Sequence, residues 1–213
     1  LSLIDGLPQP KEASERIYEN FNFFVKKLEQ VDDITKVCGG LAKLLIVDIS
    51  LDRERDNPQL IFESLNSTGK ELSQADLIRN YVLMGLEPEI QNDLYQRYWH
   101  PIEKEFGREG YREHFDRFMR HYLTVKTGSI PKIGEVYEEF KRFSSSAQKD
   151  IRSLEELLAD MFDYSRYYCA MAFGSSVDPE LRENLAALRE LNVDVTYPFL
   201  MEIYDDYSKG ELS

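Results

Sequence analysis

Asn66, Ser67, Thr68 and Lys70 gather around Gly69 in a polar turn between two apolar, helix-like stretches. Ser73, with Asp76 three residues later, is a capping-box-like start to the next helix. Polar donors beside a helix N-terminus are suited to holding an anion, because the first backbone N–H groups there have no intrahelical partner. A phosphate loop is excluded: Gly69-Lys70 is followed by Glu71 rather than Ser or Thr, and position 64 is Ser rather than Gly. The plainer alternative is a turn that only joins two helices.

The other residues able to do chemistry are scattered. Lys104, Arg108, Arg112, Arg117, Arg120, Lys126 and Lys132 fall close together, alongside Phe106, Tyr111, Phe115, Phe118 and Tyr122. Arg108, Arg112, Arg117 and Arg120 are the candidate nucleic-acid contacts of this run. Glu103, Glu105, Glu109, Glu113 and Asp116 interleave with them, which favours a solvated helix face over aromatics that form core. His114 and His121 share a helix face but stand about 10.5 Å apart along its axis, too far for one metal ion. The adjacent pairs Asp32-Asp33, Glu138-Glu139 and Asp205-Asp206 diverge on a helix and are poor candidates for shared acid–base work. Trp99 reads as a core or interface anchor rather than a platform for a base. Neither a serine nor a cysteine is marked as a nucleophile, so catalytic and metal-ligating residues are expected to be absent.

Helical periodicity must position these groups. Residues 12–30 place Ile17, Phe21, Phe24, Val25 and Leu28 on one face. A shorter helix is expected over 33–42, and another after Asn57-Pro58 up to the polar turn. Further helices are predicted at about 73–85, 88–106, 111–127, 132–143, 151–173, 178–191 and 196–208. Pro88, Pro131 and Pro179 lie near their starts; Gly85, Gly107, Gly128 and Gly174 lie near their ends. LLIVDISL at 44–51 is the one convincing strand candidate. A lone strand needs partners for its backbone, and no other segment has comparable β character. The fold class is therefore mainly α, a multi-helix bundle with at most one or two short strands around 44–51.

Composition fits a folded chain. With 213 residues, 42% hydrophobic and 31% charged, it can bury one large core or two small ones. A net charge of −13 opposes a DNA-binding role for the segment as a whole, since phosphates would be repelled at long range. Cys38 and Cys169 stand in apolar, helix-like surroundings without metal-ligand spacing, and read as buried thiols of a reducing compartment rather than a disulfide. Nothing approaches the roughly 18 to 20 apolar residues of a membrane span, and no signal peptide opens the chain. The expected location is cytoplasmic, with no membrane partner.

The string FESLNSTGKELSQADLIRNYVLM at 62–84, with the lead-in LLIVDISLDRERDNPQLI at 44–61, resembles the signature of GmrSD-type bacterial anti-phage restriction endonucleases. The resemblance extends more weakly through PQPKEASERIYENFNFF at 8–24 and VTYPFLMEIYDDY at 195–207. It implies an N-terminal nucleotide-binding domain marked by a DGQQR motif, often with an HNH-type nuclease at the C-terminal end. This chain contains no DGQQR, since Asp5-Gly6 runs on into Leu7-Pro8, and none of its three His lies in a nuclease context. The resemblance therefore implies a middle segment with both catalytic ends outside it: 1–86 as the C-terminal part of the DGQQR-type domain, and 87–213 as a helical bundle leading towards a nuclease domain.

In that reading the chain is not catalytic alone and holds no cofactor, while NTP, Mg²⁺ and DNA belong to the intact NTP-dependent endonuclease. Its partners are the flanking nucleotide-binding and nuclease domains. Asn66, Gly69, Lys70, Asp76, Arg79 and Asn80 are then the candidates for a nucleotide or domain contact. Asn66 and Lys70 would donate to an anionic group and Gly69 would permit the turn. Asp76 would cap and orient its helix, with Arg79 and Asn80 pairing across the contact. The alternative is a helical protein-interaction module whose acidic surface binds a basic partner, with no link to DNA cleavage.

Overall fold

The three-to-four spacing of apolar residues becomes helix throughout the part of the chain that the computed structural model describes, residues 15–48, 61–62, 72–145, 150–175, 179–191 and 193–211. By its internal contacts the chain divides into two units, Leu1–Ser50 and Leu51–Ser213.

The first unit contains α1 (Glu15–Glu29) and α2 (Ile34–Leu41). Asp33 caps α2 by accepting the Thr35 N–H at 3.0 Å. Ile17, Phe24 and Leu28, on the apolar face of α1, remain exposed, and α2 buries no residue. The strand expected over 44–51 does not form where the chain is described. Residues 44–48 are irregular, with Leu45 95% and Ile46 91% exposed, and 49–51 lie outside the described residues. The physical reason is pairing: among the described residues there is no second strand to satisfy its backbone. Cys38 also departs from expectation, because it is exposed on α2; Cys169 is buried, and both are free thiols.

The second unit is built from α3 (Gln74–Leu83), α4 (Pro88–Leu94), α5 (His100–Thr127), α6 (Val136–Ser144), α7 (Ile151–Phe173), α8 (Pro179–Leu191) and α9 (Tyr197–Ser208). A π-turn at Tyr95–Trp99 joins α4 to α5, and a 3₁₀ turn at Ile133–Glu135 leads into α6. The helices expected at 73–85, 151–173, 178–191 and 196–208 agree to within two residues at each end, and the one expected at 132–143 opens as the 3₁₀ turn and continues as α6. The expected helix 88–106 runs from α4 through the π-turn to Phe106. There Gly107, at φ 66° and ψ 172°, breaks α5 in a region that side chains other than glycine do not tolerate.

α5 is the central element, packed against α7, α9, α6 and the π-turn. Its Phe106, Phe115, Phe118 and Tyr122 form a continuous aromatic core with Trp99, Tyr164 and Tyr168. Trp99 contacts Phe115 with ring centroids 5.6 Å apart and donates its indole N–H to the Tyr111 oxygen at 3.2 Å, which makes it a core anchor. Polar groups that enter this layer are satisfied. The Tyr122 hydroxyl donates to Asp160 at 2.7 Å, and Lys126 pairs with the same carboxylate while lying over the Tyr164 ring.

Candidate functional site

The signature's described part begins with α3. Ser73 accepts the Asp76 N–H at 3.1 Å and returns its own hydroxyl proton to the Asp76 carboxylate at 2.8 Å, so the expected cap is present. A second cap comes from far along the chain: the Ala75 N–H donates to Asp116 Oδ1 of α5 at 3.0 Å. The Gln74 side-chain oxygen in turn accepts the Tyr137 N–H at 2.8 Å, near the start of α6. Two orphan N–H groups of α3 and one at the start of α6 are thus tied around this helix end.

The opposite face of α3 lines an open cleft of about 440 Å³, formed by Arg79, Asn80, Leu83 and Met84 with Pro88, Gln91, Asn92 and Tyr95. The spacing explains the lining. Residues 79, 80 and 83 share one stripe of α3, while 88, 91, 92 and 95 recur at three-to-four spacing along α4 into the π-turn. Two of the candidate contact residues, Arg79 and Asn80, therefore come together in one cleft; Asp76 lies one turn behind. Asn66, Gly69 and Lys70 lie outside the described residues.

Electrostatics decide what the cleft can hold. The Arg79 guanidinium is shared between Asp76 at 3.1 Å and Glu103 at 3.2 Å, so two carboxylates face one cation. Glu103 also accepts the Tyr95 hydroxyl at 2.9 Å, and His100 Nδ1 stands 4.0 Å away from it. Burial, with Glu103 nearby, pushes the Tyr111 phenol far above its ordinary value, so it stays protonated. A guanidinium already held by two carboxylates is a poor phosphate clamp. Asn80, Gln91 and Asn92 instead present carboxamides that make no side-chain hydrogen bond among the described residues. The cleft offers neutral donors and acceptors over the apolar Leu83, Met84 and Pro88, chemistry for a polar uncharged surface or backbone rather than for an anion.

The candidate nucleic-acid contacts do not share one role. Arg108, Arg112 and Arg117 are exposed along α5, with Arg112 paired to Glu113 at 2.9 Å. Arg120 is half-buried, its Nε–H donating to the Pro131 carbonyl at 2.8 Å, which fastens the loop after α5. His114 and His121 both turn towards Tyr168, with His114 Nδ1 3.3 Å from its hydroxyl and the His121 ring stacked on it. Burial, assisted by the Arg117 charge, holds both imidazoles below their ordinary value. Among the described residues no group of three or more His, Cys, Asp or Glu could hold a metal ion. No described helix is long and apolar enough to cross a membrane.

Sequence reasoning missed Asp116, Gln74, Glu103 and the α4 carboxamides. Each acts across a helix–helix contact that no local spacing reveals. Ser73 with Asp76, three residues apart at the start of α3, was the pair visible in advance.

Residues 6–83 match the family model for the GmrSD restriction endonuclease, N-terminal domain. The match places this stretch with the GmrSD-type restriction endonucleases, as its signature implied. No curated protein and no solved structure matches the chain.

Proposed function

We propose that the chain is a non-catalytic helical segment of a GmrSD-type, nucleotide-dependent DNA restriction endonuclease, where it couples the nucleotide-binding domain to the nuclease domain. The observation that carries this reading is where the family match ends. It closes at residue 83, the last residue of α3, and α3 buries Ala75, Ile78, Val82 and Leu83 in the core of the second unit. The matched stretch thus ends in a helix that belongs to the bundle's own packing.

Coupling follows from stiffness. Packed cores respond to a push by switching between discrete arrangements rather than deforming continuously, so a displaced helix end must carry its neighbours with it. The contacts of Ala75 with Asp116 and of Gln74 with Tyr137 fix that end to α5 and α6. NTP, Mg²⁺ and DNA are reached by the intact enzyme, while the cleft with Asn80, Gln91 and Asn92 supplies a neutral face for a neighbouring domain.

The test is separation of two activities in the intact protein. Gln74→Ala combined with Asp116→Ala should leave NTP hydrolysis in place and strip DNA cleavage, and equal loss or full retention of both would sink the coupling role. The chain alone should neither hydrolyse NTP nor cut DNA with Mg²⁺. Turnover that survives purification and vanishes in Lys70→Ala would overturn its non-catalytic assignment.

A further inference from the structure

We infer that the outer face of α9 is a docking surface for a basic amphipathic helix of a partner protein. The stretch VTYPFLMEIYDDY carries apolar residues on two sides. Tyr197 and Met201 point into the core with the carboxylate of Asp205, which accepts from the Tyr164 and Tyr167 hydroxyls at 3.2 and 3.3 Å. Phe199, Ile203 and Tyr207 form a second stripe at four-residue spacing on α9, with Phe199 69% and Tyr207 56% exposed, and Val195, in the turn just before the helix, is 75% exposed. One buried stripe is enough to hold a surface helix; a second, exposed one is the mark of an interaction surface. From Phe199 to Tyr207 it runs about 12 Å along the axis, a little over two helical turns, a footprint that the apolar stripe of a docking helix can cover.

The sign of the rim identifies the occupant. Glu202, Asp206 and Glu211 border the stripe, and the cation among them in sequence, Lys209, is held by Asp205 on the inner side. The whole chain carries −13. A second copy would bring the same acidic rim against this one, and anionic lipid or nucleic acid would be repelled, whereas a helix with Lys or Arg flanking its apolar face is attracted.

The probe is a synthetic helical peptide of Leu and Lys with Leu at helical spacing, titrated into the purified chain by fluorescence anisotropy. Two controls accompany it: a scrambled peptide of the same composition, and a peptide with Glu in place of every Lys. The amphipathic basic peptide should bind saturably. Phe199→Ser with Tyr207→Ser should weaken it about tenfold or more, from the apolar area lost. Glu202→Lys with Asp206→Lys, which keeps the apolar stripe, should weaken it to a similar degree. Both variants change exposed groups, and unchanged thermal unfolding verifies that each folds. Equal binding to wild type and the Ser variant, or equal binding of the scrambled peptide, overturns the docking surface. Equal binding of the Glu peptide, or self-association of the chain that the Ser variant abolishes, overturns the basic partner.

Discussion

Replacing Asp116 with Ala tests whether the end of α3 is tied to the bundle, on which the coupling role depends. Asp116 sits on α5, and its carboxylate accepts the N–H of Ala75, a residue only 2% exposed, at 3.0 Å. Hydrogen bonds to charged groups contribute about 1.5–3 kcal/mol net, and an N–H left buried without an acceptor incurs its full desolvation cost. Asp116 is itself half-buried, so water reaches part of the site and the lower end applies: about 1.5 kcal/mol. For a unit of this size that lowers Tm by roughly 3–6 °C, measured by thermal unfolding with urea titration alongside for the free energy. Asp116→Asn keeps an oxygen acceptor and should lose less than half as much.

The pH dependence gives a second, independent readout. Burial raises the Asp116 carboxyl above its ordinary value, against the opposing pull of the Ala75 and Gln74 N–H groups. A carboxyl with a folded value above its unfolded one contributes stability that is complete below the unfolded value and is lost as pH rises through the folded value. The stability gap between wild type and Asp116→Ala should therefore be widest near about pH 3 and narrow towards about pH 7, the other carboxylates cancelling in the difference. A loss under about 0.5 kcal/mol, within the scatter of surface substitutions, would refute the anchoring role. A gap that widens with rising pH would show that the hydrogen bonds outweigh burial.

Gly107→Ala should destabilise the second unit by about 1–3 kcal/mol, the cost of holding a side chain at a backbone conformation open to glycine alone. An added Cβ would meet nothing within 4 Å, so the loss measures backbone strain and not a clash; a variant as stable as wild type would mean the break in α5 is not imposed. Thiol titration of the native chain should report one fast equivalent from exposed Cys38, abolished in Cys38→Ser. Cys169 is fully buried, and burial pushes its thiol far above the ordinary value, so it should react only on unfolding. Fast reaction of both thiols in the native chain would contradict that burial.

The helices were legible because their signals are local. Ser73 announced an N-cap by residue type, and it does accept the Asp76 N–H at 3.1 Å; Pro88 opened α4, and Gly128 and Gly174 ended α5 and α7. What failed was anything that requires knowing a partner. LLIV at 44–47 reads as strand because β-branched apolar residues favour pleated pairing, yet propensity supplies no second strand. Cys38 reads as buried because the residues around it are apolar, yet α2 buries none of them. The cleft was half legible for the same reason: Arg79 and Asn80 were candidates by position in the signature. Glu103, which decides that Arg79 is not free for an anion, lies 24 residues further on and joins through tertiary contact.

That distribution of charge bears on the proposed coupling role. Were Arg79 unpaired, α3 would offer a cation to a phosphate; held by Asp76 and Glu103, it locks α3 to the start of α5 instead. The same helix is fixed at its N-terminal end by Asp116, further along α5, so the first turn and the middle of α3 are bound to the one element on which the aromatic core is built. Exposed ion pairs of this kind contribute about 0–1 kcal/mol each, too little to hold a fold but enough to set which way a packed helix leans. A signal that reached Ser73 would meet α3 held to α5 at its first turn and at its middle. It would pass to the bundle as a movement of the whole helix rather than be absorbed as fraying of its first turn.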